Sequence, residues 1–204
     1  MSVETFREAG VQGFLHRPDG EPARALVLTH GAGSNAQAPM LIAIAESLAA
    51  RGWLVLRCNL AYRQNRPGGP PRPAEAEADR RSLREAVAAV RAMARCPLTL
   101  GGHSYGGRQA SMLAAEDATV ADSLLLCSYP LHPPGKPEQL RTQHLGKIAV
   151  PVLFVHGTKD PFGSPDEMRG AVKLVQYARL EFIEGAGHDL NRGKDLHFLD
   201  HLPG

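Results

Sequence analysis

The 204-residue sequence predicts an α/β protein, a mostly parallel central sheet with helices on both faces, formed as one domain over residues 1–204 and carrying no cap domain. Short, near-continuous apolar runs, of the kind found in strands covered on both faces, alternate with longer stretches of helical periodicity. No fixed-period repeat and no linker interrupts that rhythm. With 43% hydrophobic and 22% charged residues the chain has ordinary globular composition. A domain of this length buries roughly 70% of its unfolded surface, so its core needs neither disulfides nor a structural metal.

The stretch before Arg24, punctuated by Gly10, Gly13 and Asp19-Gly20, reads as an antiparallel strand or hairpin at the sheet edge. Ala25–Thr29 and Trp53–Leu56 are apolar strands. Between them Met40, Leu41, Ile44 and Leu48 make one helical face that ends at Gly52. Leu83, Val87, Val90 and Ala94 form a second face, leading to a weaker strand at Pro97–Gly101. Leu124–Cys127 and Val152–Val155 are strong strands, Leu180–Ile183 a weaker one, and His197 and His201 fall in a terminal helix. The segments 59–72, rich in Arg, Gly and Pro, and 129–147, rich in Pro, His and Lys, read as long loops at strand carboxyl ends, where α/β sheets bind ligands. Neither is long enough for an inserted helical lid.

The net charge of +2 gives no reason to expect a nucleic-acid or membrane partner. Ten arginines against four acids in residues 51–95 raise the question of a basic patch. Half of those arginines, from Arg80 to Arg95, fall on the polar face of one helix, without the interleaved aromatics that single-stranded nucleic acid requires. Cys58, Cys96 and Cys127 are odd in number and lack CxxC spacing, so reduced, buried thiols are expected, with no metal site. No stretch has the apolar length of a membrane helix and the N-terminus lacks a leader pattern, so a cytoplasmic location is the expectation.

The chemistry concentrates in Leu98-Thr99-Leu100-Gly101-Gly102-His103-Ser104-Tyr105-Gly106-Gly107, where a strand meets a helical pattern through G-x-S-x-G. A serine on a sharp strand-to-helix turn crowds the residues two before and two after it, and Gly102 and Gly106 supply the missing bulk. Such a turn lifts the hydroxyl clear and aims the Tyr105 N–H into the same space. A serine hydroxyl needs a base, and the base an orienting acid. Asp160 follows the strand Val152–Val155, with Asp166 or Glu167 as substitutes. His188, in the turn after Leu180–Ile183, stands apart by position among nine histidines. His156 reads as structural at a strand end, and His132 and His144 lie in the long loop. His30-Gly31-Ala32-Gly33-Ser34 follows the first central strand, and the Ala32 N–H is the expected second oxyanion donor beside Tyr105. Asn59, Tyr62, Arg63 and Arg66 are expected beside the pocket, where guanidinium groups would take an anionic part of a substrate.

Ser104, Asp160 and His188, in that order along the chain and with the oxyanion loop before them, resemble the α/β-hydrolases over roughly the whole sequence. The compact length is similar to the dienelactone-hydrolase-like branch. The enzyme naming that branch has a cysteine nucleophile, so its lactone substrate does not transfer to a protein with Ser104. Tyr129–Pro137 and Gly157–Pro161 resemble a sub-branch of small bacterial proteins related to a domain of a eukaryotic chromatin acetyltransferase complex. That sub-branch commonly has Arg-Ser-Met where His103-Ser104-Tyr105 stands here. The resemblance implies a serine hydrolase of a small ester, thioester or lactone, with a small-molecule substrate and no cofactor. The alternatives are a noncatalytic binding protein on a hydrolase scaffold and an acyltransferase.

Overall fold

The computed structural model describes residues 1–8 and 10–203. The expected N-terminal hairpin is β1 (Ser2–Glu8) paired antiparallel with β2 (Val11–Arg17); Ala9, within that stretch, and the terminal Gly204 lie outside the described residues. There follow β3 (Arg24–Thr29), α1 (Pro39–Ala49), β4 (Trp53–Cys58), α2 (Ala61–Asn65) and α3 (Ala76–Met93). The second half comprises β5 (Leu98–His103), α4 (Tyr105–Glu116), β6 (Ser123–Cys127), β7 (Val152–Gly157), α5 (Pro165–Val172) and β8 (Ala178–Ile183). The eight strands form one sheet in the order β1-β2-β4-β3-β5-β6-β7-β8, parallel from β4 to β8. The α/β-hydrolase fold expected from the sequence is the fold observed.

The near-continuous apolar strands feed two cores because successive side chains point to opposite faces. In β3, Ala25 and Val27 pack with Leu83, Val87 and Val90 of α3, while Leu26 and Leu28 pack with Leu41, Ile44 and Leu48 of α1. Phe154 and Val155 of β7 divide between the two layers in the same way. The edges differ. β1 is largely exposed, and β8 carries the Arg179–Glu181 ion pair, so charged side chains guard the open strand edges.

Chain direction from β3 runs to β4 on one side and then crosses to β5 on the other, so strand order reverses between β3 and β5. Loops leaving strand carboxyl ends diverge at such a switch point and open a crevice. The Gly31–Ser34 loop after β3 and the Ser104 turn after β5 flank it.

Several local expectations shift. The segment 59–72 contains the short helix α2, and α5 was not foreseen. α5 has a clear local cause, since Ser164 and Glu167 form a reciprocal capping box with Pro165 at the first helical position. Residues His197–His201 form a 3₁₀ turn instead of a terminal α-helix. Cys58 and Cys127 are buried, and burial pushes both thiols up to about 12; Cys96 is only partly buried. No described helix is long and apolar enough to cross a membrane. The arginines of α3 pair with carboxylates: Arg80 with Glu116, Arg81 with Glu77, Arg84 with Asp117 and Arg91 with Asp122.

Candidate active site

Ser104 sits between β5 and α4 with φ 51° and ψ −117°, in the positive-φ region that an L-residue occupies only under constraint. The two flanking glycines explain how the turn closes. A Cβ on Gly102 would stand 2.5 Å from Gly107 N, and one on Gly106 2.5 Å from His30 O, in each case against backbone that cannot rotate away. The serine side chain is left at a cavity floor, and the residue is 8% exposed.

The turns after β7 and β8 bring the other two residues to it. His188 Nδ1–H donates to Asp160 Oδ2 at 2.8 Å, which leaves Nε2 as the acceptor for the Ser104 hydroxyl, also at 2.8 Å. Asp160 Oδ1 accepts the Phe162 N–H at 2.9 Å, and the carboxyl is buried beneath the histidine. Burial alone would raise its pKa. The His188 hydrogen bond and charge, together with the Phe162 N–H, outweigh burial and hold the carboxyl below its ordinary value. Phe162 stacks on the His188 ring at 4.2 Å between centroids. The substitute acids are engaged elsewhere: Asp166 pairs with Arg169 at 2.6 Å, and Glu167 completes the α5 capping box.

Ala32 and Tyr105 both line the cavity with Ser104. Among the described residues no acceptor takes either backbone N–H, whereas the carbonyls of the β3 loop are tied down. The Tyr62 hydroxyl reaches Ala32 O at 2.7 Å and Gly31 O at 3.3 Å, turning the carbonyl side of this loop toward Tyr62. Buried Asp79 supports the same corner by accepting from Tyr62 N–H at 3.0 Å and from the Tyr105 hydroxyl at 2.8 Å. Burial, the dominant influence, raises the Asp79 pKa despite those two donors.

Asn59, Tyr62 and Arg63 follow β4 at the same strand ends as Ser104, but they do not line the cavity. They brace the loops from behind the cavity wall. Asn59 Oδ1 accepts from Ala36 N at 2.8 Å. Arg63 is buried, and its guanidinium donates to the carbonyls of Ser34 at 2.7 Å, Arg66 at 3.1 Å and Gly69 at 2.8 Å. Arg66 is drawn back in turn by Glu75 at 2.7 Å. A Pro- and Gly-rich loop leaves many carbonyls without ladder partners, and an arginine fork is the side chain best suited to collect them.

Four residues with no assignment from sequence matter here. His103 donates from Nε2 to His188 O at 2.7 Å, tying the histidine turn to the serine turn, and burial first of all lowers its pKa to about 4. Its place beside Ser104 was visible, but its partner, far along the chain, was not. Phe162, two residues beyond Asp160, supplies the stacked wall. Arg108 and Arg141 line the cavity, and Arg108, one helical turn after Ser104, was the more legible from spacing. Beside these four, His156, which the sequence places as structural at a strand end, braces the acid turn from the buried side through Gly163 O at 2.9 Å.

An open α/β sheet with a serine on a strained strand-to-helix turn, hydrogen-bonded to a histidine and through it to a carboxylate, defines the hydrolase class. The chain belongs to the alpha/beta hydrolase domain family, whose sequence profile matches residues 22–198. TT1662 from Thermus thermophilus has a similar structure, with TM-score 0.76, 23% identity and 98% of both chains covered. An alpha-beta serine hydrolase homologue from Coxiella burnetii gives TM-score 0.71 and 18% identity, over 94% of this chain and 91% of that one. A dienelactone hydrolase from Anabaena variabilis gives 0.73 and 19%, over 98% and 93%.

Proposed function

We propose that this protein is a serine hydrolase that cleaves a small carboxylic ester, thioester or lactone through an acyl-enzyme intermediate. The observation that carries the reading is the hydrogen-bond chain from Asp160 through His188 to Ser104, 2.8 Å at each link, at the floor of an open cavity of about 790 Å³.

In this reading the Ser104 Oγ attacks the substrate carbonyl carbon while His188 Nε2 takes the hydroxyl proton. The carbonyl π electrons move to oxygen, and the N–H groups of Ala32 and Tyr105 receive the oxyanion. Such preorganised donors are worth about 3 kcal/mol each at a developing charge. The tetrahedral intermediate collapses by breaking the bond to the leaving oxygen or sulfur, which departs with the proton held by His188. Water then attacks the acyl-serine, giving its proton to His188, and collapse returns the proton to Ser104 with release of the acid. Asp160 holds the imidazole in the tautomer that presents Nε2 to serine and stabilises the imidazolium formed in both halves. The route uses only side chains and backbone of this chain, with a small-molecule substrate.

A fluorophosphonate probe tests it. Labelling of the wild type, abolished in folded Ser104→Ala, is the expected result. Absence of labelling on folded wild-type protein refutes the reading and favours a binding protein on a hydrolase scaffold.

A further inference from the structure

The cavity above Ser104 is lined by three arginines, Arg72, Arg108 and Arg141, and by no carboxylate among the described residues. A cavity wall with cations and no anion is unusual, because an uncompensated charge loses solvation without gaining a partner. Elsewhere the arginines facing this end of α3 and α4 are neutralised, Arg80 by Glu116 at 3.0 Å and Arg66 by Glu75 at 2.7 Å. Arg108 and Arg141 belong to none of the ion pairs among the described residues. Arg108 Nε is buried without a hydrogen-bond partner. Arg141 donates from Nη1 to Pro130 O at 3.3 Å, a single long bond for a group with five donors. On the same wall Gln109 is fully buried, its Oε1 held by Arg80 at 3.1 Å and its Nε2 unpartnered.

The field of the unneutralised pair is felt by its neighbours. Burial and then the Arg108 charge lower His144 to about 4, and the same two causes lower the Arg141 guanidinium. The Arg108 and Arg141 guanidinium groups repel one another, and an anion bound to both would relieve that repulsion.

We infer that Arg108 and Arg141 form an anion-binding subsite, so that the substrate is an ester carrying a free carboxylate on a short spacer from the scissile carbonyl. This rests on the serine-hydrolase reading for the reaction, though the subsite itself does not depend on it. Arg108 follows Ser104 by one turn of α4, a rise of about 6 Å, which suits a spacer on the order of three to five bonds. A planar carboxylate matches the guanidinium fork in two parallel hydrogen bonds, and the free Gln109 Nε2 lies on the same wall. Arg63, the sequence-based choice for this role, has its donors taken by backbone carbonyls, whereas Arg108 keeps Nε unpartnered beside the Tyr129 hydroxyl and Arg141 spends one donor on the long bond to Pro130 O.

The test compares p-nitrophenyl hemisuccinate and hemiglutarate with their terminal carboxamides, in wild type, Arg108→Gln, Arg141→Gln and Arg108→Lys. The readout is the charged-to-neutral ratio of kcat/KM. The wild-type ratio should exceed one and fall with added salt. Each Gln variant should lower it by roughly 10-fold to 150-fold, the range for losing one charge-assisted hydrogen bond, and Lys should keep part of the preference. A wild-type preference for the carboxamide, or a ratio unmoved in both Gln variants, overturns the inference. A second arm needs no turnover: glutarate should raise the melting temperature of wild type and not of the Gln variants. Glutarate stabilisation without hydrolysis of any ester upholds the subsite and removes the hydrolase reading. Stabilisation by inorganic phosphate but not by glutarate overturns the carboxylate assignment.

Discussion

Replacing Gly157 by alanine separates two turns that the structure holds in direct contact. Gly157 ends β7, three residues before Asp160, and lies beneath the turn that delivers His188. A Cβ there would stand 2.5 Å from Gly187 O, 2.8 Å from the carbonyl carbon of Ala186, and closer still to Ala186 O. Ordinary contact begins near 3.4 Å, so the His188 turn must retreat by about 0.5–1 Å, and no rotamer change relieves a backbone clash. Lys159 N donates to Ala186 O at 2.8 Å, so the retreat also pulls on the segment carrying Asp160. Both His188 links are 2.8 Å long, and a shift of that size breaks at least one of them. A misplacement near 1 Å costs about 100-fold in rate. Overpacking of this kind costs about 1–3 kcal/mol in stability, a fall in Tm of roughly 2–12 °C for a chain of this length. Hydrolysis of p-nitrophenyl acetate and a thermal melt measure the two effects on one preparation. Gly170→Ala is the control: it lies in α5 with no atom within 4 Å of the added Cβ, so it should gain about 0.5–1 kcal/mol and keep its rate. A Gly157→Ala protein with wild-type rate and melting would refute the claim that this backbone contact sets the His188 position.

Asp160→Asn should fold and lose about four orders of magnitude in kcat, because an amide donating to Nδ1 forces the proton onto Nε2 and removes the acceptor from Ser104; retention of rate in a stopped assay would count against that tautomer. Tyr62→Phe removes the hydroxyl that holds Gly31 O and Ala32 O, and should lower kcat with little change in KM, at a stability cost of roughly 1–3 kcal/mol, measurable by steady-state kinetics and urea melts. His16, His30 and His103 have their pKa values lowered from 6.5 to about 4, burial being the first cause in each. Below pH 6.5 the unfolded chain therefore binds protons that the folded protein excludes. Stability should be full above that pH and decline as pH falls toward 4; a melting temperature constant from pH 7 to pH 5 would contradict this.

The parallel sheet was legible because Leu124–Cys127 and Val152–Val155 are apolar on both faces, a pattern that amphipathic elements do not produce. The elbow was legible because steric crowding around Ser104 imposes glycine at fixed spacing, and the placement of Asp160 and His188 followed from strand ends. α5 was missed although its capping pair Ser164 and Glu167 stands in the sequence, because its apolar face is short: Met168 and Ala171 are its only buried residues. Arg63 and Arg108 show where reading stops. Both are arginines within a few residues of the cavity, and which of them is free depends on where the carbonyls of residues 34, 66 and 69 point. That direction is set by tertiary closure of the loop. The contact of His103 with His188 O, 85 residues away along the chain, is equally invisible to local pattern.

The proposed mechanism requires a covalent bond to one oxygen atom. Mixing the protein with an excess of p-nitrophenyl acetate, quenching in acid within the first turnover and mapping peptides by mass spectrometry measures that bond directly. One acetyl group per chain is expected, on Ser104, appearing with a burst of p-nitrophenol and absent from folded Ser104→Ala. Hydrolysis by the wild type with no acetyl group on Ser104, or with the acetyl group on another residue, contradicts it.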